Sequence, residues 1–167
     1  MQKKCQIFAF LFLFPIMLNA MPAAAANELK KDGRFIVSND ETVLDTKTRL
    51  MWASTDNGAD IDQNDAKQYC EAFRGGGYKD WRMPTLNELE TLCEDIEETQ
   101  PASCRGIKGQ ILNVFVTPSI SLSCVYVWSS NTRGSEGMQM LFNYCHKSGA
   151  PPKRSAYTRA LPVRSSK

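Results

Sequence analysis

The chain has one histidine in 167 residues, His146. It follows a β-prone stretch in polar surroundings, with no carboxylate or cysteine at a spacing that marks an acid–base pair or a metal set. The six cysteines include no C-x-x-C pair, which excludes the common dithiol redox motif. Neither an internal repeat nor a low-complexity linker is present. Only one apolar run is long, Ile7 to Leu18, and it falls short of the roughly 20 residues a membrane-spanning helix needs. Acid is scarce in one half only. Asn27 to Cys104 carries 17 acids and 9 bases, a balance of −8, whereas Arg105 to Lys167 carries 9 bases against Glu136 alone, a balance of +8.

The N-terminus reads as a secretory signal peptide over 1–26: Lys3 and Lys4, the apolar run, then Ala24-Ala25-Ala26 as the cleavage site. Cys5 precedes the run and so is not placed as a lipoprotein cysteine. Residues 27–167 remain, 167 − 26 = 141 positions, enough for one domain with a core. An exported chain meets an oxidising environment. Its expected location is periplasmic or secreted to a bacterial cell surface, with no membrane span after cleavage and no nucleic-acid partner. The charge asymmetry reads first as two halves that neutralise each other, and second as a basic surface for an anionic polymer.

Phe35-Ile36-Val37, Thr42-Val43-Leu44 and Leu50-Met51-Trp52 are short β-prone runs separated by polar turns, which predicts a hairpin or meander. Asp60, Asp62, Asn64 and Glu71 match positions 1, 3, 5 and 12 of a calcium loop, but Asp65 stands where the sharp turn needs glycine. Ala66, Tyr69, Cys70 and Phe73 have the spacing of one helical face, so Asp62 or Asn64 is read as an N-cap; a looser calcium site in the loop is left open. Gly75-Gly76-Gly77 ends that helix.

Gly77 to Thr85 then mixes a large apolar ring, Trp81, with flanking Asp80 and Arg82 and with Pro84. Thr85 and Glu88 form a capping box for a second helix with Leu86, Leu89, Leu92, Cys93 and Ile96 as its buried stripe. Pro101 to Ser121 reads mostly as loop. Val125 to Trp128 and Met138 to Tyr144 are strands, and Tyr157 to Arg164 closes the chain, with Pro162 requiring an edge or bulge. The order gives an α+β fold with an antiparallel sheet.

Five blocks occur in an order that resembles a known family: Thr42-Val43, Asp45, Thr48 and Leu50-Met51-Trp52; Tyr69-Cys70; Gly77, Asp80-Trp81-Arg82, Pro84-Thr85 and Glu88-Leu89; Trp128-Ser129-Ser130; and Val163-Arg164. They resemble the Lcl C-terminal domain family, long catalogued as a domain of unknown function. The resemblance implies a C-type-lectin-like fold, two helices packed on curved antiparallel β-sheets. It also implies bacterial surface or periplasmic placement, and a family in which a trimeric adhesin domain binds sulfated glycosaminoglycans. A homo-oligomer is compatible with it. The shared motifs look structural and transfer no binding or catalytic residue.

The family often closes with V-R-C-V-R. Here Arg159-Ala160-Leu161-Pro162-Val163-Arg164 has no cysteine, and five cysteines remain after residue 26. Cys93 with Cys104 and Cys124 with Cys145 are the expected disulfides, leaving Cys70 buried as a small hydrophobe; Cys70 with Cys93 is the alternative. The expected function is a non-catalytic binding or adhesion-type domain without cofactor or metal, its partner an anionic glycan or an envelope protein. Candidate ligand residues are Asn131, Arg133, Lys147, Lys153, Arg154 and Arg159, whose amide and cationic groups suit sulfate or carboxylate. Trp128 is read first as core and second as a sugar platform. A structural envelope module is the alternative function. An enzyme akin to the lectin-fold formylglycine-generating oxidases is the weakest reading, because their copper and substrate site has no counterpart here.

Overall fold

A computed structural model describes residues 28–166 apart from 95, 98 and 155, together with the backbone but not the side chains of 28, 29 and 107. The signal-peptide expectation lies outside the described residues. The elements are β1 (Glu28–Asp32), β2 (Phe35–Ser38), β3 (Thr42–Asp45), β4 (Leu50–Ala53), α1 (Gln63–Ala72), α2 (Leu86–Thr91), β5 (Gln100–Arg105), β6 (Ile111–Val114), β7 (Tyr126–Arg133), β8 (Glu136–Leu141), β9 (His146–Ala150), β10 (Thr158–Arg159) and β11 (Val163–Ser165). They form an α+β architecture: a five-stranded sheet ordered β1-β2-β3-β4-β11, a four-stranded sheet ordered β10-β7-β8-β9, and a β5-β6 pair.

The expected meander is β2-β3-β4, antiparallel throughout. Its second turn is set by Asp45, whose carboxylate accepts from the Lys47 N–H (3.0 Å) and the Thr48 hydroxyl (2.8 Å). Such a local side-chain bond closes a turn without a partner strand. The sheets are not wholly antiparallel, since β10 runs parallel to β7. The closing strand is also two strands rather than one. β10 pairs with β7 and β11 pairs with β4, so Pro162 marks the crossing from one sheet to the other. Pro162 lacks an N–H to donate there, while its carbonyl accepts from Ala53 (3.0 Å).

Asp62 caps α1 by accepting from the Asp65 N–H, and Gly76 and Gly77 turn the chain after it at φ 63° and 73°. Thr85 and Glu88 complete the capping box of α2. That helix stops at Thr91, short of the predicted stripe, and Leu92 to Glu94 form turns. Acids sit poorly at a helix C-terminus, and Glu94 instead pairs with Lys47 (3.0 Å). The segment read as loop after Pro101 contains most of β5 and all of β6, and His146 opens β9 rather than a loop.

The main core joins Phe35, Val43, Trp52, Leu89, Val127 and Met140, and a smaller cluster holds Ala66, Cys70, Met83, Trp128 and Ala160. Three bases of the second half close on acids of the first: Lys147 on Glu90, Arg159 on Asp60 and Arg164 on Asp80.

The four expected cysteines are bonded, but with different partners: Cys93–Cys145 and Cys104–Cys124. Proximity in sequence misled, because the β5–β6 pair turns Cys104 away from α2 and toward Ser123, whose carbonyl accepts the Cys104 N–H (2.8 Å). Cys70 is free and buried. Burial pushes its thiol up to about 12, with the adjacent Glu71 charge adding to the shift. Near pH 8 it is therefore a thiol, not the reactive thiolate. Iodoacetamide is expected to leave Cys70 unmodified until the protein is denatured, and non-reduced peptide mapping to recover the two links above. A Cys93–Cys104 peptide, or labelled Cys70 in the folded protein, would refute this.

Candidate functional site

The stretch from Gly77 to Thr85 reaches most of the other motif blocks. Trp81 is 3% exposed, donates its indole N–H to the Gly75 carbonyl (3.1 Å), and meets Phe73 edge-on at 4.8 Å between centroids. On either side of it, Asp80 accepts two bonds from the Arg164 guanidinium (2.7 and 3.1 Å), while the Arg82 and Val163 backbones exchange N–H···O bonds (2.9 and 3.0 Å). Arg164 also lies over the Tyr78 ring at 3.8 Å. Asp80-Trp81-Arg82 and Val163-Arg164, two separate blocks in sequence, are thus one contact.

Arg82 holds Glu88 with two bonds (2.8 and 2.5 Å). Burial pushes the Glu88 carboxyl up, but bonds from Arg82, the Thr85 N–H and the Thr85 hydroxyl, with the Arg82 charge, outweigh it and leave the carboxyl low. The hydrogen bond to Glu88 raises Arg82 against its own desolvation. The Pro84 carbonyl accepts from the Ser130 N–H (2.7 Å), and Asn131 Oδ1 accepts from the Leu86 N–H (2.7 Å), which ties the Trp128-Ser129-Ser130 block to the start of α2. These blocks build the scaffold and leave little chemistry free.

Beside them runs an open groove of about 460 Å³. Gln63, Asn64, Lys67 and Glu71 of α1 form one wall, Ser130 and Thr132 of β7 the other, and Arg82, Met83 and Thr85 also line it. Gln63 is its joint. The Gln63 N–H donates to the Pro152 carbonyl (2.9 Å), and its amide donates to the carbonyls of Ser129 (2.9 Å) and Asn131 (3.2 Å). Gly137 makes room for that side chain, since a Cβ there would collide with the Gln63 amide.

The predicted ligand residues divide accordingly. Asn131 and Arg133 alternate along β7 with the groove-lining Ser130 and Thr132 and do not line the groove, Asn131 being turned to the start of α2, while Lys153 and Arg154 sit exposed in the turn that Gln63 anchors. Arg133 is paired with Glu136 (2.8 Å). Lys147 faces α2 instead, bonded to Glu90 (2.7 Å). Arg159 is a correction: it is 6% exposed, bonded to Ser123 Oγ (2.6 Å) and paired with Asp60, so it stands as a strut and not as a surface ligand. Asp60 also accepts from the Tyr157 N–H (3.0 Å), which turns one carboxylate of the supposed calcium loop toward the second half.

Trp128 is buried, with its indole N–H on the Ile61 carbonyl (2.9 Å). The sequence reading missed the α1 wall, because Lys67 and Glu71 look like an ordinary solvated i,i+4 pair. Among the described residues no group of three His, Cys, Asp or Glu is placed to hold a metal. No helix among them is long and apolar enough to cross a membrane.

An α+β scaffold whose recurring motif residues are spent on holding its sheets and helices together defines a family by architecture rather than by an active site. The chain belongs to that of the Lcl C-terminal domain, whose family-wide profile matches residues 41–164. No curated protein and no solved structure matches the chain.

Proposed function

We propose that this protein is an exported, non-catalytic binding module of the bacterial envelope or cell surface. It recognises an anionic glycan along the groove between α1 and β7, on a lectin-like scaffold. The observation that carries the reading is the joint made by Gln63. One residue ties the turn that carries the exposed cations Lys153 and Arg154 to the start of α1, whose groove holds Lys67, Arg82 and the hydroxyls of Thr85, Ser130 and Thr132 against the single acid Glu71. Cationic side chains offer charge-assisted bonds to sulfate or carboxylate, and hydroxyls and amides suit sugar hydroxyls. The two disulfides are compatible with an oxidising, extracytoplasmic location.

The oxidised protein is expected to bind heparin–agarose at low ionic strength and to elute as added salt screens exposed charges. K153A/R154A should bind about tenfold more weakly, since two exposed charge contacts each contribute up to ~1 kcal/mol. Retention that is independent of salt, or unchanged in the double variant, defeats the assignment. Capture of a single envelope protein without heparin retention would replace it with the protein-partner reading.

A further inference from the structure

A second cleft lies at the other end of β7. It has a volume of about 190 Å³, and Leu112, Val125, Tyr126, Asn143, Tyr144 and Tyr157 are among its walls. From Tyr126 to Thr132 the strand advances six residues, about 20 Å at ~3.3 Å each, so this cleft is separate from the groove.

Three observations single the cleft out. Tyr144 is 75% exposed, the most exposed large apolar side chain among the described residues, where buried aromatic surface would normally be favoured. Two of the five non-glycine residues with positive φ among the described residues adjoin it: Tyr157 at 63° and Cys145, next to Tyr144, at 48°. Each such conformation costs about 1–3 kcal/mol and persists only where the surroundings impose it. Here the Cys93–Cys145 bridge holds one, and the Asp60 carboxylate with the Tyr126 N–H, bonded to the Tyr157 carbonyl (3.2 Å), holds the other. Finally, Asn143 Oδ1 is shielded from solvent and has no hydrogen-bond partner. A buried acceptor left unmet is expensive, so a donor brought in from outside is strongly favoured.

We infer that this cleft binds a single uncharged pyranose ring, stacked on the tyrosines and donating a hydroxyl to Asn143 Oδ1. The volume admits one ring and is well below that of a drug-sized pocket. The lining carries no formal charge. The unmet acceptor also selects the ligand class. A proline-rich peptide would suit the aromatic walls but presents mainly carbonyl acceptors, whereas a sugar presents hydroxyl donors. Tyr144 is the exposed wall, and such a ring changes rotamer in picoseconds to nanoseconds, fast enough to adapt to a docking sugar. This site does not rest on the anionic-glycan reading, because it uses different residues and no charge.

The test is NMR titration of the oxidised protein with a panel of neutral methyl pyranosides and, separately, a polyproline peptide. Saturation transfer to a glycoside is expected, with shifts in the Asn143 side-chain amide, insensitive to salt and to K153A/R154A. Tyr144→Ala should weaken binding about tenfold by removing a stacking face. Asn143→Leu should weaken it comparably while raising the melting temperature, because it removes the unmet acceptor; a merely structural asparagine would give the opposite thermal shift. No saturation transfer to any glycoside, unchanged affinity in both variants, or binding of the peptide in place of the sugars would each overturn the inference. Tyr144→Ala alters an exposed ring, so it remains informative even if Asn143→Leu misfolds.

Discussion

Trp81→Ala is expected to lower the unfolding free energy by about 3–5 kcal/mol, the range for truncating a buried large aromatic. The melting temperature should fall by roughly 10 °C for a chain of this size. The indole fills the space under the glycine turn, contacts Phe73 edge-on, and satisfies the Gly75 carbonyl. The cavity cannot easily collapse, because the residues on either side are pinned: Asp80 to Arg164, and Arg82 to both Val163 and Glu88. Trp81→Phe keeps most of the apolar contact and loses the indole bond, so it should cost only about 1–2 kcal/mol. Urea unfolding followed by circular dichroism measures both. A loss under about 1 kcal/mol for the alanine variant, the range of an ordinary surface change, would show that Trp81 is not the structural hub.

The second large effect belongs to the outer disulfide. Cys93–Cys145 spans 52 residues and Cys104–Cys124 spans 20, nested inside it. Chain-entropy arguments give about 4 kcal/mol for the longer loop and about 3 kcal/mol for the shorter. Cys93→Ser/Cys145→Ser should therefore destabilise more than Cys104→Ser/Cys124→Ser. Removing both should cost slightly more than the sum of the two single losses, because with the inner link in place the outer one closes a shorter effective loop of the same unfolded ensemble. Denaturation midpoints of the three variants test the order. If the inner pair proves the costlier to remove, native packing around Cys104 outweighs loop closure.

Much of the architecture could be read from the chain because it rests on short-range chemistry. The Thr85–Glu88 box, the Asp62 cap and the Asp45 turn each satisfy backbone groups within three residues, so spacing alone reveals them. Alternating apolar runs located β2, β3, β4, β7 and β8. β1, β5 and β9 escaped because they are polar (Glu-Leu-Lys-Lys-Asp, Gln-Pro-Ala-Ser-Cys-Arg and His-Lys-Ser-Gly-Ala) and are strands only through the partners they pair with. Arg159 and Lys153 show the same limit within the candidate site. Both are bases of the acid-poor second half, yet one is sealed under Asp60 and Ser123 while the other faces solvent.

The residues by themselves determined the α+β class, the capped start of α2 and the meander, since each follows from periodicity, capping or composition. Tertiary structure alone decided the cysteine partners, the switch of sheet at Pro162, the joining of Asp80 to Arg164, and the placement of the groove and the tyrosine cleft at opposite ends of β7. The reason is that these depend on contacts between residues from 20 positions apart (Cys104 and Cys124) to 165 − 50 = 115 (Ser165 and Leu50), whose meeting is set by how the sheets stack and cross. Local spacing carries no record of such distances.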